Sequence, residues 1–480
     1  MHLLQQHTFD IQCSSQAFGK EIQRQLADLL EKEFYPKLDD LLDQYTHPNH
    51  IWSIDVLELQ LPKIFKENWK TELVQKSLQQ IEAYLKDNNP VIRALHNDAE
   101  MASGAFLPKG EHAGFLFFHF LKTGVLLENT LSKDLNVLTA AIEITPVFLK
   151  KLLEFFEADF TCIARWIFSV PVLFKAKITA QLAGFPLTAV FRVAMDEKIP
   201  TISPLRKRMQ GDKILEVQWI ELVQWTEYLY RKRSSGEVFY KEFLKLSERY
   251  WQVSAAESVL FFKEMAQIIT ENKGDSEMAL FFKAFVQSAT DENHASAFRK
   301  APGFEPVKEL QPLELQYISN AGLVLLHPFL KTLFEQLGLC ENEIWKTEMH
   351  QHKAILLTQY LITGEEKIQE NELLLNKVLC GLALEDTVNV QLKIKKKEKE
   401  KCHSLLEAVL EHWTVMSGSS KEALQQTFLQ REGKLDIQMG NTYELWVEEK
   451  GFDVLLAQLP WGIGMVKTPW MENYLTCHWN

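Results

Sequence analysis

The sequence has few cysteines and no pattern among them. Cys13, Cys162, Cys340, Cys380, Cys402 and Cys477 are scattered, with no CxxC spacing and no close pair, which argues against a disulfide framework and for a reducing compartment. The start, MHLLQQHTFDIQ, lacks the basic stretch and apolar run of a secretory signal. Long apolar runs are missing too. The longest stretch free of Asp, Glu, Lys and Arg, Leu315 to Leu330, still holds Gln316, Asn320 and His327 and falls short of the ~18 apolar residues of a membrane span. No membrane span is expected. Positive charge is in deficit: the net charge of −12 is the wrong sign for a chain that gains affinity by neutralising phosphates, so nucleic acid is not an expected partner.

Catalytic and phosphate-binding motifs are absent as well. There is no GxSxG, GxxxxGK[ST], HExxH or EF-hand loop, and Gly462-Ile463-Gly464 lacks the third glycine and following helix of a dinucleotide fingerprint, so it reads as a turn. On a helix, Glu348 and His352 share a face while His350 points away, which is too little for a metal. Cys402-His403 and Cys477-His478 are adjacent pairs whose side chains diverge, so neither makes a dyad alone. The alternating run Lys393 to Lys401 reads as a solvated helix start. No catalytic residue, cofactor or metal is assigned, and the chain is not expected to be an enzyme.

What is present is apolar and aromatic material. Hydrophobic residues make up 46% of 480 and charged residues 24%, which excludes wholesale disorder and requires a substantial core. There are 30 Phe, 12 Trp and 11 Tyr. Many fall at helical spacing; Trp461, Trp470 and Trp479 instead crowd a Pro- and Gly-interrupted terminus, where they read as core packing or as anchors for a partner protein.

The pattern is mainly helical with minor β structure, an α+β chain in three parts. Residues 1–90 read as a β-α-β-α unit. Its strands are Leu3 to Cys13 and IWSIDVLELQL (51–61), where Leu57, Leu59 and Leu61 alternate with Glu58 and Gln60. Its helices run from about Ser15, with a break or kink near Tyr35 ahead of Pro36, and over roughly Lys66 to Lys86. Residues 91–311 read as short helices broken at Pro90, Pro108, Pro146, Pro171, Pro186, Pro200, Pro204 and Gly274, with a linker from Lys300 to Pro312. Residues 312–480 are helical and end in β structure. There the Ser419/Glu422 spacing predicts a helix over about Ser420 to Arg431, followed by a hairpin turning at Gly440-Asn441 and short strands at GMVK and LTCHW. The two β-containing ends are expected to share a sheet.

Within the last part, the string NAGLVLLHPFLKTLFEQLGL (Asn320 to Leu339) resembles a block of the tape measure proteins of contractile injection systems, the phage-tail-like particles of bacteria. ILLTQYLITGEE (355–366), ELLLNKVLCGL (372–382), FLQREGKL (428–435), FDVLLAQLPWGI (452–463) and PWM (469–471) follow in the same order, and FDIQCSS and SIDVLELQLPKI near the start are similar too. Residues from about 91 to 311 carry no block that resembles the family. Read physically, the blocks are scaffold. His327 before Pro328 marks a helix junction with a capping or core histidine, and Phe428 and Leu429 pack while Arg431 and Glu432 stay polar near a helix end. The resemblance implies a structural protein that occupies the lumen of a growing tail tube and sets its length. Its implied partners are the tail tube, the baseplate or spike, tube-terminating proteins and cargo. Its implied location is the cytoplasm during assembly and the particle afterwards. An adaptor or assembly chaperone for baseplate or cargo proteins is the alternative. Phe329, Phe428, Arg431, Trp461, Trp470 and Met471 are the expected structural anchors or partner contacts.

Overall fold

Ser15 and Pro36 shape the first helices of the chain. In the computed structural model, which describes residues 2–4, 7–13, 15–54, 56–88, 106–127, 130, 132–185, 213–232, 239–271, 276–290, 315–438 and 442–479, the Ser15 side chain caps the helix Gln16–Leu29 by accepting from the Phe18 amide. Pro36 has no N–H to donate, and its ring would collide with the carbonyl four residues back. The chain answers with a wide π-turn over Leu30–Phe34, closed by Tyr35 N–H on Leu30 O, and the helix resumes over Tyr35–Asp43. Of the expected break or kink, the structure takes the second form, a bulge within a continuing helix. These helices and Trp69–Asp87 bury Ile22, Leu29, Phe34, Leu38, Trp69, Leu73, Val74, Ile81 and Leu85 in one core.

The strands read for this region fare differently. Strand β1 is His50–Trp52, antiparallel to β2, Phe106–Pro108. Leu3 to Cys13 carries no ladder among its described residues. Leu57, Leu59 and Leu61 do alternate, half-buried against the helical core while Val56, Glu58 and Gln60 are exposed, but the segment meets helix side chains instead of a strand. Gln80 Nε2 donates to Gln60 O at 2.8 Å and Lys76 Nζ to Lys63 O at 3.1 Å. Period-2 burial records an extended segment on a surface and says nothing of a strand partner.

By proximity the chain forms two compact units, Met1–Leu116 with Leu127–Lys133 and Ala141–Glu143, and Phe117–Leu126 with Asp134–Ala140 and Ile144–Asn480. The second begins with short helices that include Pro146–Ala158, Thr161–Ser169, Val172–Gln181, Lys213–Lys232, Tyr240–Trp251, Ala255–Glu271 and Ser276–Thr290. Pro146 opens one of these and Pro171 caps another, as their fixed φ favours. Aromatic rings fill the space between the helices. Trp166 meets Phe117, Phe156 and Trp225 edge-on, and Phe262 stacks on Phe285 at 3.8 Å. Pro90, Pro186, Pro200, Pro204, Gly274, the proposed linker Lys300 to Pro312 and the Gly440-Asn441 turn lie outside the described residues.

From Leu315 onward, strands and helices share a further core. Strands β3 (Leu315–Ile318), β6 (Gly433–Gln438), β7 (Thr442–Val447), β9 (Leu475–His478) and β8 (Met465–Val466) form one sheet in the order 3-6-7-9-8; β4 (Cys340–Glu341) and β5 (Ile344–Trp345) form a separate pair. Among the described residues only β7–β9 is parallel. The expectation that the two β-containing ends share a sheet is corrected, because among the described residues β1 and β2 pair only with each other. The two strands of the hairpin and both late strands lie where the sequence reading placed them. Leu435, Leu445, Leu475 and Val466 are buried beneath the sheet. The helix expected from Ser420 is capped by Ser420 itself, which accepts from Ala423 N, and it turns π-helical over Gln425–Leu429. Of the described residues, 63% are helical and 8% lie in strands, a mainly α fold.

Two glycines set how closely these elements approach. A Cβ on Gly322, in the 3-10 turn Ala321–Leu326, would lie 1.8 Å from Phe428 O in the π-turn, and one on Gly381, at φ +67°, would lie 2.1 Å from Trp470 O. Both contacts are with backbone and cannot yield locally. Gly322→Ala is expected to cost more than about 2 kcal/mol in urea denaturation. Gly418→Ala, where an added Cβ meets nothing within 4 Å, is expected to change stability by less than about 0.5 kcal/mol.

Candidate functional site: a polar frame beneath the C-terminal blocks

The blocks between Asn320 and Met471, scattered in sequence, converge on one another in space. Asn320 Nδ2 lies 3.0 Å from Gln359 Oε1, 3.0 Å from Glu372 O and 2.8 Å from Asn376 Oδ1, and Asn376 Nδ2 donates to Thr358 Oγ1 at 2.8 Å. Three of the blocks are thus tied by buried amides. His327 donates from Nδ1 to Val324 O at 2.8 Å and caps the turn before Pro328. Burial lowers its pKa. Trp461 donates to Leu325 O at 3.1 Å and sets its ring edge-on to Phe329 at 5.1 Å. Trp470 stacks on Trp345 at 4.4 Å and leans on Phe334, while Met471 is buried beside it and its sulfur accepts from Thr468 N.

Arg431 is fully buried. Sequence reading placed it as a polar residue near a helix end. It is instead the centre of an ion pair, donating to both Asp453 oxygens at 2.9 Å and to Glu448 O and Thr427 O at 2.8 Å. Trp479 Nε1 and Lys450 N also donate to Asp453 Oδ2. Burial alone would raise the Asp453 pKa, and the Arg431 hydrogen bonds outweigh it and hold the carboxyl below its ordinary value. Phe428, Phe452 and Trp479 present their rings to the guanidinium at 5.0 to 6.0 Å.

A second buried charge, missed in the sequence, joins residues far apart. Glu370 accepts on Oε1 from Arg165 Nε at 3.2 Å and Lys377 Nζ at 3.1 Å, and on Oε2 from Ser169 Oγ at 2.6 Å and Thr387 Oγ1 at 3.1 Å. Arg165 goes on to Leu121 O, Lys122 O and Glu385 O, and Lys377 to Leu384 O and Asp386 O. All three charged side chains are buried. Burial pushes the Glu370 carboxyl up, but Arg165 and Lys377 hold it below its ordinary value; burial also pulls the Lys377 ammonium down. A signal was there: Arg165 interrupts TCIARWIFS and Lys377 interrupts ELLLNKVLCGL, and a cation inside an apolar run needs a buried partner. Nothing in the sequence around Glu370 named that partner.

Phe329, Trp461 and Trp470 are half-buried; Phe428, Arg431 and Met471 are buried. On the outward face of the sheet, Tyr317, Lys434, Trp446 and His478 lie in one cross-strand row, with Lys434 Nζ 5.3 Å over the Trp446 ring and the His478 ring stacked on it at 4.8 Å. The residues weighed for chemistry go elsewhere. Glu348 pairs with Arg249 at 2.7 Å, and His352 is fully buried, accepting on Nδ1 from Asn389 N at 3.2 Å between Tyr250 and Phe168. Burial drives its pKa down to about 3. Cys402 and Cys477 are buried, and burial pushes each thiol up to about 12. Among the described residues no group of three or more His, Cys, Asp or Glu is placed to hold a metal ion, and no helix is long and apolar enough to cross a membrane.

A family model described as contractile injection system tape measure protein matches residues 1–479. No curated protein and no solved structure matches.

Two outcomes follow from the buried charges. Asp453→Asn removes the counter-charge of Arg431 and is expected to cost about 3–5 kcal/mol in chemical denaturation. Acid should also destabilise the fold. His352 titrates near 3 when folded and near 6.5 when free, so the unfolded chain takes up the proton first and stability is lost as pH falls from about 6.5 towards 3. Glu370, lowered in the fold, adds to the loss below the ordinary carboxylate range. Thermal melts should fall in Tm across this window, with a flatter slope for His352→Gln.

Proposed function

The chain belongs to the contractile injection system tape measure protein family and its role is structural, and from that premise we propose that it sets tail-tube length from within the tube lumen. The match over nearly the whole chain carries this reading. Membership implies work within a multiprotein, phage-tail-like particle. Its contacts there are proposed to be the tail tube, the baseplate or spike, the tube-terminating proteins and cargo. The protein is taken to reside in the cytoplasm while the particle is built and in the particle thereafter.

The mechanism would be mechanical. A helix rises ~1.5 Å per residue, so 480 residues in one helix would span about 720 Å and residues 91–311 about 330 Å. The described helices are short and packed on aromatic cores, so a ruler of this kind must lengthen by parting packed bodies or by stacking them. We keep the three-part division at 90 and 311 within this proposal, with the middle as the length-determining part and 312–480 as a folded end piece. Phe329, Trp461 and Trp470, half-buried at the surface of that end piece, are its proposed partner contacts, and Phe428, Arg431 and Met471 its internal anchors. The packed fold of the described residues also favours the alternative of an adaptor or assembly chaperone that binds baseplate or cargo proteins as a globular body.

Particles assembled with in-frame deletions and duplications within 91–311 separate the two readings by electron microscopy. Tube length is expected to follow the residues added or removed, at up to ~1.5 Å each. Particles of unchanged length would reject the ruler and leave the adaptor.

A further inference from the structure

The apolar core that begins at residue 315 is nearly self-sufficient. It runs from Ile318 to Trp479, and from earlier in the chain it takes in buried Val125, with Leu215 packed at its edge. The helices between Pro146 and Thr290 have aromatic packing of their own, in which Phe156, Trp166, Trp225, Phe262 and Phe285 meet one another. Where the two bodies touch within this unit, Phe168 and Tyr250 flank the His352 ring, and around that contact the bonding is polar. Arg165 and Ser169 reach Glu370. Gln218 exchanges hydrogen bonds with Asn389, at 3.1 and 2.8 Å, and Gln391 Nε2 donates to Ile167 O at 2.8 Å. Arg249 grips Glu348 and Asp386. The Leu135 amide donates to Gln369 Oε1 at 2.7 Å.

We propose that this polar seam, centred on Glu370, is a clasp that opens as a unit while the helical body and the C-terminal body each stay folded. A seam of apolar contacts would resist opening in proportion to the area exposed to water. Buried ion pairs behave otherwise: the cost of stripping water from Arg165, Glu370 and Lys377 cancels much of their attraction, and parting the seam gives that hydration back. Such a seam contributes little adhesion but a single orientation, since the Glu370 bonds are satisfied in one register only. Gly124, at φ +77°, shows how close the fit is, because a Cβ there would sit 2.8 Å from Glu370 Oε1. Opening the clasp would let the chain lengthen without unfolding its cores. That use rests on the ruler reading above, whereas the opening itself is a property of the isolated protein and stands or falls without it.

Native-state hydrogen exchange on the full chain tests the clasp. The Leu135 amide, bonded across the seam, reports opening; the amides of Leu357, in the helix Glu348–Thr363, and Phe262, in Ala255–Glu271, report the two cores. In the natural protein Leu135 is expected to exchange through an opening that leaves both core amides protected. Glu370→Gln, which strands two buried cations, is expected to speed Leu135 exchange by ~10-fold or more with less than about a 2-fold change at Leu357 and Phe262. Ser169→Ala removes one hydrogen bond to Glu370 and keeps the charges, so it decides the matter should the first variant fail to fold; a smaller rise, again confined to Leu135, is expected. Equal acceleration at all three amides would overturn the clasp in favour of one cooperative body, and no acceleration at Leu135 in either variant would overturn it as well.

Discussion

A carboxylate buried away from solvent, that of Glu370, is the constraint on which much of this fold turns. Glu370 is held at full burial only because Arg165, Lys377, Ser169 and Thr387 surround it, and those groups come from three separate stretches of chain, Arg165 and Ser169 sharing one helix. An unpaired carboxylate in that position would cost several kcal/mol, a large share of a domain's stability, or would take up a proton instead. The helix Thr161–Ser169, the turn that carries Glu370, the helix Leu374–Leu379 and the loop at 384–387 therefore have one mutual arrangement. Arg165 extends the constraint to Leu121 O and Lys122 O, and Arg249 to Glu348 and Asp386.

The same logic recurs at Arg431 and Asp453, where the charges sit inside one body and join the last helical turn before β6 to the segment that follows β7. Here the pair is ringed by Phe428, Phe452 and Trp479, so aromatic faces supply part of the compensation that water would have given. Gly322 and Gly381 do the complementary job for the backbone, removing a Cβ wherever a carbonyl must come closer than a side chain allows. Polar groups decide orientation, glycines decide distance, and apolar area supplies most of the stability. A structural component that has to be assembled in one register has use for all three.

Much of this was legible in the residues. Ser15 and Pro328 placed helix starts because capping and a fixed φ act within one turn, Pro146 was legible as a break, and the hairpin strands β6 and β7 followed from alternation on either side of the Gly440-Asn441 turn signal. Pro36 was legible as a disturbance but not as a π-turn, since the choice between a break and a bulge depends on whether the flanking segments share a core. Leu57, Leu59 and Leu61 alternated as a strand does and were buried as a strand is, yet found helix side chains in place of a partner. Of the candidate residues, Trp461, Trp470 and Phe329 were visible as aromatics in an irregular stretch. Arg431 drew notice through its block, but its burial depended on Asp453, more than twenty residues on.

The sequence by itself determined what is local or additive: a mainly helical chain, an acidic balance, short helices between prolines, a C-terminal hairpin, and the ordered blocks that carry family membership. Each of these is set by neighbours in the chain or by sums over it. Tertiary structure alone decided which strands share a sheet, that Arg165 and Lys377 converge on Glu370, and that the backbone of Gly322 meets that of Phe428. Those outcomes depend on which distant group fills a partner's last hydrogen bond, and a buried charge accepts any correctly placed counter-charge without regard to its position in the sequence.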